Sequence, residues 1–148
     1  MNYKFKLEKL LELKLKREDS LKLEVSEYLN KIKIKKDQIE NIKEKINFSK
    51  NNKINSAFSY DLKNYISYIN YLESKLIEEQ KNLIILENEL EKIKEQLINA
   101  TKERKVLENL KEKSYNEFLS ELNKIENKII DEMAIINYFK KNGGIIWR

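Results

Sequence analysis

The side chains that could do chemistry in this chain are almost all carboxylates and ammonium groups. Its 148 residues include 30 Lys and Arg and 25 Asp and Glu, but no His and no Cys. Without imidazole it lacks the usual general base at neutral pH and the commonest metal ligand. Without a thiol it lacks a strong nucleophile and a zinc ligand. Its only two glycines are adjacent, at Gly143 and Gly144, so no Gly-rich loop exists to cradle phosphate. Carboxylates act as paired acid and base only in a concave, desolvated site that separates their pKa values. Here they recur three or four places from lysines, the spacing of solvated pairs on a helix surface. The sequence therefore predicts no catalysis, no cofactor, no metal and no small-molecule substrate. Nor do the basic residues form a stripe with interleaved aromatics, so nucleic acid is not expected either.

The elements that carry these charges follow from composition. The chain is 37% charged and 41% hydrophobic, with no Pro. A charge load of this size with a helical apolar period marks long helices, not a layered globule. Apolar residues recur every three or four places over residues 62–136, through Leu62, Ile69, Leu76, Leu83, Leu90 and Leu97 and on to Ile125, Ile129, Met133 and Ile136. This is the seam of a long coiled-coil helix. A first helix carries a second seam, with Leu11, Glu18, Val25, Ile32, Ile39 and Ile46 at one core position and Leu7, Lys14, Leu21, Tyr28, Lys35 and Ile42 at the other. Lys14, Glu18 and Lys35 stand out. Charge at a seam costs stability but restricts register; alternatively, the lysine stems run past the seam and keep their heads in water.

Between the seams, residues 47–61 are rich in Asn and Ser, which favour turns and caps. The predicted architecture is all-α: a long two-helix antiparallel coiled-coil hairpin whose second helix is the longer. It forms a single domain over 1–148, with helix 1 at about 3–47, the tip at 48–61, helix 2 at 62–140 and a flexible tail at 141–148. Ser59 or Asp61 caps the second helix, and the glycine pair ends it. The alternation at Tyr3, Phe5 and Leu7 is read as the frayed start of helix 1. Matching the seams across the turn places Ile46 opposite Tyr65, Ile39 opposite Leu72 and Leu11 opposite Ala100. A slip of one heptad would satisfy the periodicity equally. Helix 1 then ends opposite residues 104–107, and the apolar stripe continues beyond it after a stutter near 107–114. An uncovered stripe of that kind is a partner surface, unless two copies pair through it.

Net charge is +5, and the first fifty residues carry the surplus, fourteen basic against nine acidic. Charges break every apolar run near the amino end, so neither a signal-peptide core nor a membrane span is expected.

Three segments resemble the flagellar export protein FliJ family, which is also similar to its counterparts in type III secretion. They are Tyr3-Lys4-Phe5-Lys6-Leu7-Glu8-Lys9-Leu10-Leu11-Glu12-Leu13-Lys14, the aromatic run Asn64-Tyr65-Ile66-Ser67-Tyr68-Ile69-Asn70-Tyr71-Leu72-Glu73, and Thr101-Lys102-Glu103-Arg104-Lys105-Val106-Leu107-Glu108-Asn109-Leu110-Lys111-Glu112-Lys113. The resemblance implies a non-enzymatic stalk in the flagellar type III export apparatus, cytoplasmic and peripheral to the inner membrane at the flagellar base. Its implied partners are the hexameric export ATPase, the cytoplasmic domain of the export gate, and export substrate chaperones. It implies Tyr68 and Leu72 in gate binding, to which Tyr65 and, at the tip, Phe48 are added; Arg104, Lys105, Leu107, Leu110, Lys111 and Phe118 form the expected ATPase-facing set. The alternative from the residues alone is a generic homodimeric coiled coil or a prefoldin-like chaperone.

Overall fold

A computed structural model describes residues 2–51 and 59–146, with side chains described at 2–51 and 62–142. They form two helices, α1 (Glu8–Asn51) and α2 (Ser59–Ile146), with no strand among the described residues. The fold is the expected antiparallel coiled-coil hairpin with a longer second helix. Packing divides the chain into two units: residues Lys16–Thr101, and Met1–Leu15 together with Lys102–Arg148.

In the Lys16–Thr101 unit the core is a single file of seam residues. Leu21, Ile32, Ile39, Ile42 and Ile46 of α1 are buried, as are Ile69, Leu72, Leu90 and Ala100 of α2. Ile42, Ile46 and Leu72 form one cluster with Leu76 against it. Lys50 Nζ lies 3.3 Å from a Glu73 carboxylate oxygen, and the Thr101 hydroxyl donates to Glu18 at 3.4 Å. These contacts fix the register one heptad away from the expected one: Ile46 meets Leu72 instead of Tyr65. The physical reason is that a seven-residue period cannot distinguish shifts by seven. In the register adopted, Glu18, which is 3% exposed, meets Ala100 and the Thr101 hydroxyl. The expected register would set it against Ile93.

The seam charges are paired, not trailed into water. Lys35 Nζ sits 2.6 Å from Glu79, another seam residue. Glu18 also takes Lys22 at 3.4 Å on its own helix.

In the other unit, Leu11 and Leu107 are the buried residues. Leu11 lies between two ion pairs to α2, Glu8 with Lys111 and Lys14 with Glu103, both at 2.8 Å. It therefore faces Leu107 and not Ala100, the same one-heptad difference. Residues 2–7 are not the frayed start of a helix. They are non-helical and run beside α2, because Tyr3 is anchored there: its hydroxyl donates to the Lys111 carbonyl at 3.3 Å. Its ring packs on Tyr115 and Phe118, with centroids 5.2 and 5.4 Å away. The Leu11 N–H donates to the Leu7 carbonyl at 2.9 Å, which opens α1.

The helix ends also differ from expectation. α1 runs to Asn51, so Phe48 belongs to α1 and not to the tip; Lys50 in its last turn suits the negative end of the helix dipole. Asp61, one of the two expected caps, lies inside α2. α2 passes through Gly143 and Gly144 to Ile146, so this pair does not end it, and no described glycine has positive φ. Residues 52–58 of the expected tip and residues 147–148 of the expected tail lie outside the described residues.

Candidate partner-binding surfaces

The first candidate surface lies where the aromatic start of α2 meets the end of α1. Phe48 is 69% exposed and Tyr68 45%. Together with Asn41, Glu44, Lys45 and Ser49 they line an open groove of about 450 Å³. Phe48 and Tyr68, two of the candidate gate-binding residues, are thus brought together. Leu72 is not with them. It is a seam residue, 4% exposed, in the Ile42–Ile46 cluster. Tyr65 is half-buried.

The second candidate set is on α2 in the other unit. Most of its members are engaged within the chain. Leu107 is buried. Arg104 is half-buried with its guanidinium 2.7 Å from Glu108. Lys111 is held by Glu8, whose hydrogen bond to the ammonium raises its pKa above the ordinary lysine value. Phe118 is half-buried against the Tyr3 ring. Only Lys105 and Leu110 of the six are exposed.

Beyond them comes the surface the sequence reading recognised as a stripe but left out of its site residues. Every described side chain from 123 to 141 is exposed. Ile125, Ile129, Met133 and Ile136 continue the seam with 47–60% of their surface in water. Ile130, Ile135, Tyr138 and Phe139 are exposed too, and at ~100° per residue the first three point away from that seam, to other sides of the helix. A helix apolar on most of its circumference is ordinarily a buried one. The signal was present in the sequence as the absence of charge over residues 133–139.

Among the described residues no group of His, Cys, Asp and Glu could hold a metal, and no helix is long and apolar enough to cross a membrane. The fold defines a class: an antiparallel coiled-coil hairpin with a narrow buried seam and exposed apolar side chains. Comparison with known proteins narrows this. The chain matches the Flagellar FliJ protein family over residues 3–143. It is 29% identical over 146 residues to the Flagellar FliJ protein of Bacillus subtilis (strain 168), covering 91% of this chain and 95% of that one. No solved structure matches. The chain belongs to the Flagellar FliJ protein family and is a component of the flagellar export apparatus.

Proposed function

We propose that this chain is the stalk-like partner of the flagellar export ATPase, docking the α2 segment beyond residue 122 into the ATPase ring. The observation that carries this reading is the exposed apolar circumference of residues 125–139. A flat partner would cover one face of such a helix. A ring with a central opening would cover all of them. The reading extends to the export gate, which would take the Phe48–Tyr68 groove, and to substrate chaperones escorted by the same rod; it places the protein at the cytoplasmic face of the inner membrane. Charged seams and surface pairs give the chain no chemistry of its own, so its effect is to promote ring assembly and hydrolysis by the ATPase.

The test is ATPase stimulation with the full chain, comparing the parent with Ile129→Ser combined with Ile136→Ser. Both positions are exposed, so helix content should be unchanged, while stimulation and co-elution with the ATPase fall at least ten-fold. Unchanged stimulation would remove the docking assignment. Light scattering decides the alternative: a stable dimer abolished by the same substitutions would make the stripe a homodimer seam. For the gate, Phe48→Ala with Tyr68→Ala should weaken binding to the gate's cytoplasmic domain. Leu72→Ala is unsuitable for this, since it opens the core cluster.

A further inference from the structure

We propose that the hairpin has two usable registers one heptad apart, and that a small set of polar and aromatic contacts latches the one observed. In the Lys16–Thr101 unit the two registers have nearly the same seam. The observed one sets Ile42 and Ile46 on Leu72 and Leu76. The shifted one sets them on Ile69 and Tyr65. Leu21 faces Leu97 in one register and Leu90 in the other, so there a slide by seven exchanges one aliphatic neighbour for another, while Ile32 exchanges Leu86 for Glu79 and Ile39 exchanges Glu79 for Leu72. The ion pair between Lys35 and Glu79 does not decide between registers either. Glu79 lies about one turn from Lys35 on either side of the slide, and long side chains span that distance.

What distinguishes the two is a short list. Glu18 gains the Thr101 hydroxyl and the small Ala100 only in the observed register. Lys50 reaches Glu73 only there, and Tyr28 hydrogen-bonds to Glu89 only there. In the other unit, the ion pairs of Glu8 and Lys14 and the Tyr3 anchor do the same. Exposed ion pairs are individually weak. Bistability of this kind arises where packed elements have two discrete arrangements. The slide moves α2 by about 10 Å along α1. In the unit that holds the free stripe, it would withdraw Tyr3 from Tyr115 and Phe118 toward Glu108. Those rings would then join the exposed stripe. That last step, register controlling how much stripe a partner can use, rests on the docking reading above; the slide does not.

Cysteine trapping tests the slide directly, because the chain has no native cysteine. Ile46→Cys with Leu72→Cys reports the observed register, and Ile46→Cys with Tyr65→Cys the shifted one. Ile46→Cys with Ile66→Cys is the collision control, Ile66 being half exposed. Under mild oxidation the first pair should close fastest and the second at least ten-fold faster than the control. Lys50→Gln should raise the second rate relative to the first by roughly two- to five-fold, the weight of one exposed ion pair. If the second pair closes no faster than the control, the two-register proposal fails. Because Ile46→Cys opens the core, spin labels at the exposed positions Asn41 and Glu87 give an independent reading. A second population about 10 Å longer, growing with Lys50→Gln, supports the slide. A single distance in both proteins overturns it. Loss of ATPase stimulation with trapping intact would count against the docking reading alone.

Discussion

The Lys35–Glu79 pair offers the sharpest test of how this fold is held. Its charges are 2.6 Å apart, and the side chains keep only 23% and 17% of their exposure. Two unit charges ~4 Å apart attract by about 4 kcal/mol at an effective dielectric near 20. Removing them from water opposes most of that. Hydrogen bonds to charged groups net about 1.5–3 kcal/mol. Since about a fifth of each side chain still meets water, the lower half of that range applies, about 2 kcal/mol of coupling. Lys35→Met and Glu79→Leu alone should each destabilise the hairpin by about 2 kcal/mol, because each leaves an unpaired charge in the seam. The double substitution should cost about 2 kcal/mol and no more than either single one, because the lost pair is counted once. Urea unfolding followed by circular dichroism on the four proteins measures the cycle. A coupling below about 0.3 kcal/mol would mean that the pair behaves as a surface contact. A double variant less stable than either single one would refute the claim that this site is a seam.

Other outcomes follow from single positions. Leu21 is 1% exposed and Leu23 62%, so Leu21→Ala should cost about 2–4 kcal/mol and Leu23→Ala less than about 0.5 in the same urea assay. Tyr3→Ala removes two ring contacts and a hydrogen bond. Hydrogen exchange should show faster exchange at the first turn of α1 with little change near Ile42. Two groups make the fold sensitive to alkali. The Lys111 pKa is raised above its ordinary 10.5, chiefly by the hydrogen bond to Glu8. Tyr28 is raised above 10.0, chiefly by its hydrogen bond to Glu89. A raised folded-state pKa adds stability that is complete below the ordinary value and lost as pH climbs through the folded one. Thermal melts should therefore fall off above pH 10, and Glu8→Gln should flatten the Lys111 part of that decline.

The helices, their antiparallel pairing and the greater length of the second were legible because period and absence of Pro determine them locally. Register was not. Ile46 fits against Tyr65 or Leu72 with similar burial, and the contacts that decide between them join residues as distant in sequence as Glu18 and Thr101. The amino-terminal strap was misread for a related reason. Tyr3, Phe5 and Leu7 alternate like a strand or a frayed helix, and nothing local announces that Tyr3 has its partners at Tyr115 and Phe118. The ATPase-facing set suffered most, since Leu107, Lys111 and Phe118 look free only until residues from the first eleven positions are laid on them.

That strap changes where the docking argument must rest. Tyr3 and Glu8 engage α2 as far as Phe118, every described side chain from 123 to 141 is exposed, and within that run the charged positions stop after Glu132 until Lys140. A seam that merely lacked its own partner strand would keep Lys and Glu around the rest of its circumference, as residues 101–117 do. Residues 133–139 instead read Met-Ala-Ile-Ile-Asn-Tyr-Phe, with no charge over seven positions in a chain that is 37% charged. An enclosing partner accounts for that loss of charge; a single added helix, pairing with one stripe, would leave Ile130, Ile135 and Tyr138 as exposed as they are now.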